Sequence, residues 1–220
     1  MPTTMNKPAA QQQMISQQVR TWSVLDSRTL DVMGKVPRER FAPAAWASLA
    51  YADCALPLAH GKHMLTPMLA GRILQAVAIR AGDQVLEVGT GSGYLSACMA
   101  TLGGQVQSLE IHADLAAQAR ENLRAAGCGS VEVTCADGLG LVSETAYDVV
   151  VLTGSLPIYQ PRFERALKFG GRLFVVAGTG PVMQARLVRR AGPAEFQSEV
   201  LFETELMALE NAPAPPAFEF

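Results

Sequence analysis

Apolar positions recur at helical spacing in the first third of this 220-residue chain and at strand spacing in most of the rest. Residues 8–20 offer Met14, Ile15 and Val19 as one helical stripe, and Asp26 or Ser27 caps a second predicted helix with Leu30 and Met33 inward. Pro37 ends that helix, and Pro43 opens a short one carrying Trp46, Leu49 and Ala50. Thr66-Pro67 starts a further helix that runs to about Ile79. Thr66 can cap a free amide there, while Pro67 sits where no amide is needed.

From Gly82-Asp83 onward, short apolar runs alternate with amphipathic ones. The pattern predicts strand 84–88, helix 92–102, strand 105–110, helix 113–126, strand 130–134, strand 147–152, helix 160–168 and strand 171–177. Alternation of this kind implies parallel strands with helices on both faces. Residues 182–190 and 196–209 each alternate with a period of two around Gly192-Pro193, and so read as an antiparallel pair completing the sheet. The fold class is α/β: a mostly parallel sheet, a C-terminal antiparallel hairpin and N-terminal helices. One domain spans 1–220, with a helical region over 8–80 placed to cover a cleft, a core over 81–209 and a proline-rich, frayed tail over 210–220. Residues up to about Lys7 read as loose.

Composition adds that the core is large. Apolar residues are 49% of the chain against 17% charged, and roughly 70% of the unfolded surface is buried at this size. A net charge of -2 gives no electrostatic footprint for nucleic acid. The start of the chain lacks the basic and apolar blocks of a secretion signal, and no apolar run reaches membrane-spanning length. These features predict a soluble, cytoplasmic protein with no membrane partner. Cys54, Cys98, Cys128 and Cys135 have no C-x-x-C spacing and read as buried, reduced thiols.

Candidate chemistry begins at Val85–Tyr94, a buried strand entering a turn with glycine at 89, 91 and 93. Without β-carbons the turn admits a nucleotide-like cofactor against the main chain, and a helix starting near Ser92 directs free amides at it. Acidic residues then fall in order. Glu87 precedes the loop, Glu110 ends the next strand where a carboxylate can accept both ribose hydroxyls, and Asp137-Gly138 follows the third strand within reach of an adenine amino group. This set fits S-adenosylmethionine better than a dinucleotide, because the loop reads Gly-Thr-Gly-Ser-Gly and no second nucleotide-binding half follows. His60 and His63 lack a third ligand and have Lys62 between them, so no metal site is expected. His63 or Lys62 is instead placed to meet an anionic acceptor, and His112 reads as exposed. Met64, Met68 and Leu69 read as packing, with an acceptor pocket as the alternative.

From about Met14 to Leu209 the chain resembles the protein-L-isoaspartate O-methyltransferase family. The resemblance rests on Met14-Ile15-x-x-Gln18-Val19-Arg20, Val36-Pro37-Arg38-Glu39-x-Phe41-x-Pro43 and Tyr51-Ala52-Asp53. It continues through Leu86 to Tyr94, Glu110-Ile111, Asp137-Gly138 and Gly170-Gly171-Arg172-Leu173. It implies a Rossmann-like S-adenosylmethionine methyltransferase sheet that methylates the α-carboxylate of a damaged aspartyl residue and leaves S-adenosylhomocysteine. The cofactor residues it implies are Glu87, Gly89, Thr90, Gly91, Ser92, Gly93, Glu110, Ile111, Asp137, Gly138 and Thr153. A serine of the family lies at the reacting carboxylate; counted back from Pro67, Leu65 takes its place and His63 that of a threonine. The candidates left at the reacting end are Thr66, which a helix cap also explains, His63, and Asp53 as an anchor for the N-terminal cover. The acceptor is then a protein or peptide carboxylate or a small molecule, and binding of the cofactor without catalysis is the third alternative.

Overall fold

The computed structural model describes residues 7–140, 144 and 146–216. The polar start over residues 1–6 and the last four residues of the tail lie outside the described residues.

The N-terminal stripe forms as expected, in a less regular helix. Helix α1 (Lys7–Gln13) continues as a π-turn over Met14–Val19 and a 3-10 turn over Arg20–Trp22. A π-turn puts residues five apart on one side, which buries both Met14 and Val19, with Ile15 beside them. Helix α2 (Ser27–Lys35) is capped by Asp26, whose carboxylate accepts from Thr29 N at 2.9 Å. Its buried residues are Thr29, Val32 and Met33; Leu30 is only half-buried. Trp46 and Leu49 lie on a 3-10 turn over Ala44–Leu49 and remain exposed, while Ala50 is buried. Two short strands that sequence reading passes over, β1 (Leu56–Pro57) and β2 (His63–Met64), pair antiparallel. The 58–62 loop between them places Leu58 against the turn at Gly91. Helix α3 (Pro67–Val77) follows, capped by Thr66.

The main sheet contains β3 (Gln84–Val88), β4 (Gln105–Glu110), β5 (Glu132–Cys135), β6 (Tyr147–Leu156), β7 (Leu167–Thr179), β8 (Val182–Arg190) and β9 (Phe196–Glu203). Its order is β5-β4-β3-β6-β7-β8-β9, parallel as far as β7 and antiparallel beyond. Helices α4 (Tyr94–Thr101) and α5 (Ala113–Ala125) make the crossovers. The chain steps from β3 outward to β5 and returns to the other side of β3 at β6. A crevice therefore opens at the carboxyl ends of β3 and β6, the usual place for a ligand in such a sheet.

Side chains of the central strands alternate between two cores. Val85, Val149, Val151 and Phe174 face the core shared with the N-terminal helices, α3 and α4. Leu86, Val88, Val150, Leu152 and Leu173 face the other, with Phe163. Arg172 is buried and joins the layers, donating to the carbonyls of Val77 and Ala78 and pairing with Asp83 at 2.7 Å.

Four expectations change. The helix over 160–168 shrinks to α6 (Arg162–Arg165), because Leu167 already pairs with Tyr147 in the sheet. The last strand ends at Glu203, and the chain then crosses the sheet tips. The tail is tied down at its start, through Glu210 and Asn211. All four cysteines are free, but only Cys98 is buried and Cys135 is exposed. Among the described residues no helix is long and apolar enough to cross a membrane.

Candidate functional site

The turn after β3 is shaped by what stands behind it. Gly89, Gly91 and Gly93 have φ of 96°, 53° and 84°, a region that favours glycine. At Gly89 space is also decisive: a β-carbon would fall 2.2 Å from Thr153 Oγ1. Thr153 lies at the tip of β6 and donates to the carbonyls of Val88 (2.9 Å) and Gly89 (2.6 Å), bracing the loop from behind. Gly138 is tight in the same way, since a β-carbon there would meet Val88 Cγ1 at 2.4 Å. Gly93 caps α4 without a side-chain acceptor; Tyr94 N donates to Ser92 Oγ at 3.4 Å, which leaves Leu95 N and Ser96 N as the first-turn amides without a side-chain partner. Ser92 is buried, and its carbonyl accepts from Asn122 Nδ2 at 3.0 Å.

The acids gather at this loop. Glu87 is fully buried, and its Oε2 accepts from Ser96 Oγ and from Ser108 Oγ (2.6 Å); Thr90 Oγ1 is 2.6 Å from Ser108 Oγ and extends the chain. Burial pushes the Glu87 carboxyl up to about 7, against the pull of the two serines and with a smaller push from Glu110. Its Oε1 is buried without a partner, and the residue lines the cavity. Glu110 accepts from Gly91 N at 2.8 Å and from His112 N at 3.1 Å, so its carboxylate braces the loop that it is expected to serve. Ile111 beside it lines the same cavity. Asp137 accepts from Leu139 N through Oδ1 and from Asn211 Nδ2 through Oδ2, both at 2.9 Å.

One contact of Asp137 therefore comes from a segment that sequence reading leaves outside the site. Residues 205–210 line the cavity. Leu209 N donates to Ser155 O (2.9 Å) and Ser155 N to Met207 O (2.8 Å), laying the segment along the end of β6. Glu210 pairs with Lys62 at 3.0 Å and lies 3.0 Å from His112 Nε2, a distance without hydrogen-bond geometry. His112 is half-buried rather than exposed, stacked on His60 with ring centroids 3.9 Å apart. His60 in turn pairs with Asp114. No metal-binding cluster occurs among the described residues.

At the other end lie the candidates for the reacting centre. Thr66 Oγ1 accepts from Leu69 N at 3.2 Å as a cap, yet the residue lines the cavity and its own proton has no acceptor among the described residues. His63 is exposed at the cavity rim, with Nδ1 3.2 Å from Met207 Sδ. Leu65 is half-buried and also lines the cavity. Asp53 does not: it is exposed on a turn, away from the cavity lining. Arg38 and Tyr94 also line this end of the cavity. Arg38 is fully buried, and burial lowers its guanidinium below the ordinary value; Tyr94 is buried beside it, with its hydroxyl pushed well up. A charged Arg in a Pro-Arg-Glu-Arg run carries no sequence signal of burial.

The cavity encloses about 360 Å³. A backbone cradle at Gly89, an orphaned carboxylate oxygen at Glu87 and a strand-end acid at Glu110 fit a ligand with a ribose and a cationic amino-acid end.

The family model described as protein-L-isoaspartate(D-aspartate) O-methyltransferase matches residues 9–211. The chain belongs to this family. A protein-L-isoaspartate O-methyltransferase of Koribacter versatilis is 36% identical over 197 residues, covering 89% of this chain and 88% of its own. One of Methanoculleus marisnigri is 38% identical over 187 residues, covering 84% of each. Among solved structures, a Plasmodium falciparum β-aspartate methyltransferase in complex with S-adenosyl-L-homocysteine superposes with a TM-score of 0.78. It is 17% identical and covers 93% of this chain and 98% of its own, a likeness of fold. As a member of this family, the protein is an S-adenosylmethionine-dependent O-methyltransferase with a Rossmann-like sheet.

Proposed function

We infer that the protein transfers a methyl group to a carboxylate of a protein or peptide, and that the α-carboxylate of an isoaspartyl residue is the acceptor it best fits. The observation that carries this reading is convergence. One cavity at the strand ends takes in the glycine loop, Glu87, Glu110 and Asp137, and at its other end Leu65 and Thr66.

Gly89 to Gly93 hold the cofactor against the main chain, with the open amides of α4 toward its carboxylate. Glu87 Oε1 accepts from its ammonium, Glu110 from the ribose hydroxyls and Asp137 from the adenine amino group, once Asn211 yields that oxygen. Thr90, Ser92, Ile111, Gly138 and Thr153 shape this half without a charge. When bound, S-adenosylmethionine supplies a methyl group activated by its sulfonium. The chain's own work is positioning. An acceptor carboxylate is ionised at neutral pH and needs no general base, so no Ser-His-Asp arrangement is required. Leu58, Leu65 and Leu95 line the cavity and exclude water from that carboxylate, while Thr66 offers a hydroxyl proton and His63 a rim contact.

The test is formation of a base-labile methyl ester on an isoaspartyl peptide and none on the matching aspartyl peptide. Absence of turnover on several isoaspartyl peptides, with S-adenosylhomocysteine still bound, removes this acceptor. A second reading keeps methyl transfer and changes the acceptor. Leu65 favours it, because leucine neither donates a hydrogen bond nor orients a carboxylate.

A further inference from the structure

The wall of the cavity contains a buried cation with no anion beside it among the described residues. Arg38 Nε donates to Ala50 O at 2.8 Å and Nη2 donates to Leu65 O, while Nη1 is buried with no acceptor. No carboxylate pairs with it among the described residues. A guanidinium kept from water without an anion is costly. The two main-chain bonds explain two of its nitrogens. They explain neither the third nor the charge.

Tyr94, in contact with Arg38, carries a second donor without a partner. The guanidinium lies over its ring, 5.2 Å from the centroid, and its hydroxyl is also buried without a hydrogen-bond acceptor. The Cys98 thiol acts on that hydroxyl without meeting hydrogen-bond geometry, and a thiol is a weak partner. Both Arg38 and Tyr94 line the cavity. Two unsatisfied donors with no acceptor between them match a group that only accepts, and a carboxylate is such a group.

Two carboxylates are candidates: that of the acceptor and that at the amino-acid end of the cofactor. In the reading above the second is assigned to the N-terminus of α4, where Leu95 N and Ser96 N have no side-chain partner. Arg38 is bonded instead to Leu65, on the segment where the acceptor is expected. We propose that Arg38 Nη1 and the Tyr94 hydroxyl receive one oxygen of the acceptor carboxylate, making Arg38 a specificity-determining residue for the reaction. The second oxygen is left free to attack, and the hydroxyl missing at Leu65 is not needed to orient the group. This rests on the carboxylate-acceptor reading above.

The experiment is a calorimetric titration of the protein bound to S-adenosylhomocysteine. The titrants are an isoaspartyl peptide, the same peptide with that carboxylate converted to an amide, and acetate. Wild type binds the acid more tightly than the amide. Arg38→Met and Arg38→Lys lower that preference by about 10- to 150-fold, the range of a charge-assisted hydrogen bond, and change the affinity for S-adenosylhomocysteine less than about twofold. Tyr94→Phe lowers the preference by about two- to twelvefold and melts no earlier than wild type, since it removes a buried hydroxyl that lacks a partner. If the arginine variants fail to fold, Tyr94→Phe decides, and an unchanged preference overturns the proposal. It is also overturned if folded arginine variants keep the preference, or if they lose S-adenosylhomocysteine instead. Wild type that binds neither the acid peptide nor acetate overturns it as well. Wild type that prefers the acid yet makes no methyl ester defeats the acceptor reading while Arg38 stands.

Discussion

Glu87 shows how far burial moves one residue from what its letter suggests. Its carboxyl is pushed up to about 7 from 4.5, so between those values the folded chain binds more protons than the unfolded one. Stability from this group is full below about pH 4.5 and is lost as pH rises through about 7, a change of about 3 kcal/mol. In Glu87→Gln that part of the pH dependence disappears, and thermal melts of the ligand-free variant at pH 8 come above wild type; equal slopes in both proteins between pH 5 and 7.5 would refute this. Leu65→Ser tests the other end of the cavity. The carbonyl that Arg38 holds is unchanged, and a hydrogen bond to the ionised acceptor carboxylate, about 1.5–3 kcal/mol, raises kcat/KM on an isoaspartyl peptide by about 10- to 150-fold. Activity appearing in the variant alone would mean that the native acceptor is another molecule. At this scale the spacing of Glu110 and Asp137 was legible because strand ends place them. Asp53 was not, since its Tyr-Ala-Asp setting fits an anchor and a solvated turn equally. Nor was Arg38, whose burial depends on carbonyls 12 and 27 residues away.

Elements with their own periodicity were read correctly, and those that exist only through pairing were not. The short apolar runs of Val85 to Val88 and of Val149 to Leu152 mark strands buried on both faces. The β1–β2 pair, two residues each, has no period to detect. Phe163, Ala166 and Leu167 are all buried and suit a helical stripe, yet pairing with Tyr147 takes Leu167 into β7. The segment after β9 is the costliest omission, because Leu206 to Glu210 roof the cavity through contacts made with distant residues. Its latch is the exposed Glu210, whose ion pair with Lys62 is weak and is screened further by salt. Glu210→Ala therefore speeds dissociation of S-adenosylhomocysteine by about two- to fivefold in stopped-flow displacement, and 0.5 M salt narrows the difference. Identical rates at low salt would show that the roof does not gate the site.

For the whole molecule, the question is whether the N-terminal helices move as a cover or melt with the sheet. Met14, Val19, Val32 and Met33 belong to the same core as Val85, Val149 and Phe174, which ties the two parts into one packing unit. The tightest joint is Gly71 on α3, where a β-carbon would lie 2.8 Å from Val19 Cγ1 and 3.3 Å from both Met33 Sδ and Val24 Cγ2. Overpacking there costs about 1–3 kcal/mol, against about 1 kcal/mol that alanine gains over glycine in a helix. Gly71→Ala is thus expected to lower the Tm by up to about 8 °C for a domain of this size. The chain's two tryptophans, Trp22 and Trp46, both lie in the N-terminal region, so fluorescence follows that region while far-ultraviolet circular dichroism is dominated by the sheet and its helices. If one core unites them, the two signals shift together in Gly71→Ala and keep a common midpoint. A cover that hinges independently would lose its fluorescence transition first and leave the circular dichroism midpoint where it was, because Gly71 would then strain only the joint.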